Sequence, residues 1–108
     1  MTETYGIYLA DLGPVPGKDL RYLLPVVVVS REEMNAVLDT VVVCPLAEKG
    51  NANWRSRIVV RVGGRESGIA VDQIRTIRAD RLARKLAQLT QRDAAELRRL
   101  ICEMYGTA

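Results

Sequence analysis

Pro25-Val26-Val27-Val28-Val29-Ser30, in a chain of 108 residues, is the stretch on which the fold reading turns. Four β-branched side chains in a row favour extended backbone, and the lack of polar alternation predicts a central strand buried on both faces. Upstream, residues 5–12 alternate loosely between apolar and polar and stop at Gly13-Pro14, which predicts a first strand. Residues 13–24 hold two prolines, two glycines and the charged Lys18, Asp19 and Arg21, a composition that predicts an exposed, mobile loop. Downstream, Ser30 with Glu33 three residues on resembles a capping box, so a short helix is expected from there to Leu38.

The rest of the chain repeats the extended signature. Residues 40–46, with Val41-Val42-Val43, predict a third strand, and residues 47–53 a second loop. From 56 to 62, Arg57, Val59 and Arg61 alternate with Ile58, Val60 and Val62, the period of a sheet with one wet face. Gly63-Gly64 marks a turn, and residues 67–77 predict two short strands interrupted around Asp72. Thr90 and Asp93 form a second capping-box pair ahead of Ala94, Leu97, Leu100, Ile101 and Met104, which share one helix face and precede Gly106. Five or six strands with one short and one closing helix place the chain in the α+β, mainly-β class. A small, strongly bent sheet or partly open barrel is expected, and the length suits one domain over residues 1–108.

Composition narrows the chemistry. Histidine is absent, which removes histidine-based catalytic triads and histidine-containing metal sites. Cys44 and Cys102 are 58 positions apart, match no zinc-binding spacing, and read as small apolar residues in a strand and a helix. No metal site and no cofactor are expected. No apolar run approaches the length of a membrane span, and the N-terminus carries no export signal, so the expected location is the cytoplasm. Residues 1–54 carry four basic and seven acidic side chains, whereas 55–108 carry twelve and six, so the net +3 gathers in the second half. The densest basic run is Arg75, Arg78, Arg81, Arg84 and Lys85, which reads either as a solvated surface or as a face for a polyanion or an acidic partner.

Four segments in this order, residues 6–14, 25–30, 41–46 and 68–77 followed by Arg81-Leu82, resemble the MazF/PemK/Kid family of toxins along nearly the whole chain. The resemblance implies an SH3-like barrel, a homodimer, a cognate antitoxin and metal-independent cleavage of single-stranded RNA. In the family's ribonucleases the loop after the first strand typically reads Gly-Ser-Glu-Gln and ends in Arg-Pro, and the third strand ends in Pro-hydrophobic-Thr. Family spacing puts Asp19 at the usual glutamate, Leu24 at the usual catalytic arginine and Ala47 at the usual threonine. The Kid-type Arg-x-Asp pair reads Ala70-Val71-Asp72, which keeps only the carboxylate.

Two readings follow. In the first the chain is an endoribonuclease in which Arg21 supplies the phosphate-binding cation and Asp19, or secondarily Asp72, the base; guanidinium suits that task because it is permanently charged and binds phosphate in bidentate fashion. Asn53, Trp54, Arg55 and Arg57 would hold the strand, since aromatic stacking beside basic residues is how single-stranded nucleic acid is commonly bound. Four of these residues also have a structural reading: Asp72 as a turn-stabilising carboxylate, Asp19 and Arg21 as loop solvation, Trp54 as a core anchor. In the second reading the chain is catalytically silent or retargeted and acts by binding protein, either an antitoxin or DNA gyrase, which toxins of a related fold poison.

Overall fold

The computed structural model describes residues 2–47 and 55–106. Seven strands carry the fold: β1 (Gly6–Pro14), β2 (Arg21–Val28), β3 (Thr40–Ala47), β4 (Arg57–Val62), β5 (Arg65–Ala70), β6 (Arg75–Arg78) and β7 (Leu82–Gln88). Two helices, α1 (Glu32–Val37) and α2 (Gln91–Tyr105), complete it. The sheet order is β4-β5-β3-β2-β1-β7, with β6 beside β3. The start of β3 pairs with β6 through Thr40↔Arg78 to Val43↔Arg75, and its end pairs with β5 through Leu46↔Ile69 and Ala47↔Gly68. The two partners are joined by a single 3₁₀ turn, Val71–Gln73. One edge of β3 thus receives two strands in succession, and the sheet must bend there. Register shifts within β1 add curl. The result is the mainly-β, partly open barrel with two helices that the sequence predicts. No helix among the described residues is long and apolar enough to cross a membrane.

The valine run behaves as expected. Val27 packs with Ile7, Cys44, Ile69 and the α2 residues Ala94, Leu97 and Leu100, whereas Val26 and Val28 pack with Tyr8, Ala10, Val41, Val43 and Ile77 on the other side. β2 lies between two apolar clusters, so neither face tolerates a polar residue. The α2 cap is also as predicted: Thr90 Oγ1 accepts the Asp93 N–H at 3.1 Å. Thr90→Ala is expected to cost about 1 kcal/mol by loss of that cap, to be read as a lower midpoint in denaturant unfolding. Gly63 and Gly64 have φ of +59° and +79°, which lets Val62 pair directly with Arg65 across a two-residue turn.

Four expectations are corrected. The first loop is shorter than residues 13–24: Gly13, at φ +111°, lets β1 run on to Pro14, and β2 begins at Arg21 opposite it. Arg21 therefore stands on a strand rather than on a mobile loop. Ser30 does not cap α1, whose N-cap is Arg31 with no side-chain bond. The Ser30 hydroxyl instead accepts the Val42 N–H at 3.0 Å and donates to Asn35 Oδ1 at 2.6 Å, tying α1 to β3. β7 was not expected at all, which raises the strand count to seven. Cys102, read as a small apolar residue, is exposed on α2.

Candidate functional site

Two hollows adjoin on the face of β2 that carries Tyr22, Leu24, Val26 and Val28. The larger, about 440 Å³, has walls from Leu12, Tyr22, Leu24 and Pro45 and polar groups from Gln73 and Arg75. The smaller, about 200 Å³, is bounded by Asp11, Leu12, Arg75, Arg78 and Arg81. Register explains the convergence. Val26 is opposite Pro45 and Val43 is opposite Arg75, so Leu24, Pro45 and Arg75 project from one side of three adjacent strands.

Arg21 and Asp19 part company. The Arg21 Nε donates to Asp11 Oδ2 at 2.6 Å, and the same carboxylate accepts the Gly13 N–H at 3.0 Å and faces Arg81 Nη1 at 3.9 Å. These contacts, the Arg21 hydrogen bond foremost, lower the pKa of the Asp11 carboxyl and so favour its ionised form. Asp19 sits exposed in the turn between β1 and β2, which is closed by bonds from the Val15 N–H to the Leu20 carbonyl at 2.7 Å and from the Lys18 N–H to the Val15 carbonyl at 3.1 Å.

Asp72 and Arg57 are brought together. The Arg57 Nε lies 3.7 Å from Asp72 Oδ1, with the arginine side chain only 12% exposed. Arg57 is the direct cross-strand partner of Ala70. A guanidinium thus reaches Asp72 from the neighbouring strand where the Arg-x-Asp pattern has alanine. Arg55 is exposed just before β4. Asn53 and Trp54 lie outside the described residues.

Behind Asp72, Cys44 is fully buried, and burial, aided by the Asp72 charge, pushes its thiol up to about 12. Alkylation of the folded protein at pH 8 is therefore expected to label Cys102 and spare Cys44 until the chain is unfolded. Peptide mapping by mass spectrometry checks this, and equal labelling of both thiols would contradict it.

Within the basic run, Arg78 is bonded to Asp80 at 2.7 Å and Lys85 to Glu3 at 2.9 Å. Arg75 makes no ion pair among the described residues. Tyr22 and Gln73 are cleft residues to which the sequence assigned no role, and Arg75 was read only as part of the basic run. Gln73 and Arg75 belong to the segment 68–77 that carries part of the resemblance, but nothing in the sequence shows that they meet Tyr22.

A model of the PemK-like, MazF-like toxins of type II toxin-antitoxin systems matches residues 3–105. The chain belongs to this family. Among curated PemK/MazF-like relatives, the endoribonuclease MazF of Staphylococcus saprophyticus is 30% identical over 100 residues, spanning 88% of this chain and 83% of that protein. The same fold appears in an endoribonuclease from a mycobacterial species solved with its cognate antitoxin, at TM-score 0.83 and 17% identity over 100% of this chain and 98% of that one. It appears again in a MazE-MazF structure from Deinococcus radiodurans, at TM-score 0.82 and 18% identity over 99% and 98%. Set in this PemK/MazF-like frame, Leu24 lines the larger hollow 37% exposed, and among the described residues no other charged side chain lines that hollow with Arg75.

Proposed function

We propose that this PemK/MazF-like chain is the toxin half of a toxin-antitoxin pair, a cytoplasmic homodimer held in check by a cognate antitoxin, and that it cuts single-stranded RNA without a bound metal ion. The observation that carries the reading is the pair of adjoining hollows, in which an apolar cleft open to a base runs into a recess bounded by three arginines. Relatives named endoribonucleases at 30% identity support it.

The chemistry needs the 2′-hydroxyl proton to pass to a base, the 2′-oxygen to bond to phosphorus, and the P–O5′ bond to break as the departing oxygen collects a proton. Arg21, at the first position of β2, is the cation for the phosphate, and it is reached by letting go of the half-exposed Asp11 pair. Asp19 at the hairpin tip is the base. Asp72, braced by Arg57, is the secondary candidate, and Asn53, Trp54 and Arg55 hold the strand.

Purified protein is expected to cut a long unstructured RNA in excess EDTA. No cleavage at any sequence would overturn the reading. A second reading, protein binding without cleavage, draws on the apolar side chains of Leu24 and Ala47 at the family's usual catalytic positions. It predicts intact RNA in the same assay together with either blocked DNA supercoiling or binding to antitoxin alone.

A further inference from the structure

The geometry points to a base-and-phosphate subsite for single-stranded RNA, in which the Tyr22 ring stacks one unpaired base inside the larger hollow and Arg75 takes the adjoining phosphate. This rests on the RNA reading above and adds residues to it. The two hollows share Leu12 and Arg75, so the Arg75 guanidinium stands at their junction. On one side it meets an apolar cleft in which Tyr22 is 48% exposed and Gln73 supplies an amide. On the other it meets the recess carrying Arg78 and Arg81.

These three arginines are not equivalent. Arg78 is occupied by Asp80, and Arg81 faces Asp11, whereas Arg75 is in no ion pair among the described residues. An incoming phosphate therefore meets in Arg75 a guanidinium with no carboxylate among the described residues to displace. An aromatic face next to a cationic track is the arrangement that holds single-stranded nucleic acid, because every base has a π-face and every link has a charge. The Gln73 amide adds a donor and an acceptor for the base edge, a pairing that suits an unstacked base better than the aliphatic side chains of an acidic peptide. Both binding residues are exposed, and neither belongs to either apolar core cluster, so their replacement leaves the fold in place.

The test is a fluorescence titration with a 2′-O-methylated oligoribonucleotide, which binds but cannot be cut. Arg75→Ala is expected to weaken binding about tenfold or more and to reduce the slope of log Kd against log salt by roughly 0.7, the value for one phosphate contact on a single strand. Tyr22→Ala is expected to weaken binding about tenfold with the salt slope unchanged, and Tyr22→Phe to retain wild-type affinity, because the ring and not the hydroxyl makes the contact. An abasic strand is expected to bind with the Arg75 dependence intact and the Tyr22 dependence gone.

Unaltered affinity and slope in Arg75→Ala would overturn the inference, as would Tyr22→Phe falling as far as Tyr22→Ala, or wild type failing to bind the strand. The cleavage reading fails separately: wild type that binds through Tyr22 and Arg75 yet leaves unmodified RNA whole would remove cleavage and keep the subsite. Unimpaired cutting and binding by both alanine variants would do the reverse.

Discussion

Arg21→Ala is expected to slow RNA cleavage by a hundredfold or more with the fold intact, because removing one donor to the charge that develops at phosphorus forfeits about 2.7–4 kcal/mol of transition-state stabilisation. The residue stands at the start of β2, exposed, and its side chain engages only the Asp11 carboxylate among the described residues, so its loss opens no cavity. Arg21→Lys keeps a positive charge but loses the planar fork, and is expected to fall between wild type and alanine. Initial rates on a fluorogenic RNA, with thermal midpoints of the three proteins alongside, separate a chemical effect from a structural one. Cleavage unchanged in Arg21→Ala would withdraw the phosphate role from Arg21 and leave Arg75 as the cation lining both hollows.

Leu97→Ala is expected to destabilise the fold by about 3 kcal/mol, within the range of about 2–5 for truncating a buried leucine to alanine in a close-packed core. Leu97 is fully buried at the centre of α2, and its side chain joins Ile7 and Val27 on the sheet to Ala94 and Leu100 on the helix. Of the two α-helices only α2 carries buried residues among those described, and it covers that side of the sheet. Urea unfolding followed by the far-ultraviolet helix signal measures the change. A loss under about 0.5 kcal/mol, the size usual for surface substitutions, would mean that α2 does not seal the core.

The strands with β-branched runs were legible because their residue types and burial agree: Val26–Val28 sit between two apolar clusters, Val41 and Val43 are buried in one of them, and the sequence offers these runs no polar face. β7 was not legible for the opposite reason. Leu82-Ala83-Arg84-Lys85-Leu86-Ala87-Gln88 consists of residues that favour helix when taken locally, and pairing with β1 through Ile7↔Ala87 and Leu9↔Arg84 is what makes it a strand. The two capping-box signatures show how context decides. Thr90 caps α2, whereas the hydroxyl of Ser30 is claimed by the Val42 N–H arriving from β3.

Spacing picks out Asp19, Arg21 and Asp72 and the departures at Leu24 and Ala47, yet of these only Leu24 lines either hollow. The partners of these groups could not be read from spacing, because Asp11 meets Arg21 across a bulged hairpin and Arg57 meets Asp72 across a strand pair. The cleft itself is built from residues near 12, 22–24, 45 and 73–75, which only the bent sheet brings side by side.

Whether attack by the 2′-oxygen is the reaction is tested most directly by the ends it leaves. RNA incubated with the wild-type protein in EDTA, with its fragments then weighed by mass spectrometry, is predicted to carry 2′,3′-cyclic phosphate on the upstream piece and a 5′-hydroxyl on the downstream one. Fragments bearing 5′-phosphate and 3′-hydroxyl, or RNA that emerges uncut, would contradict it.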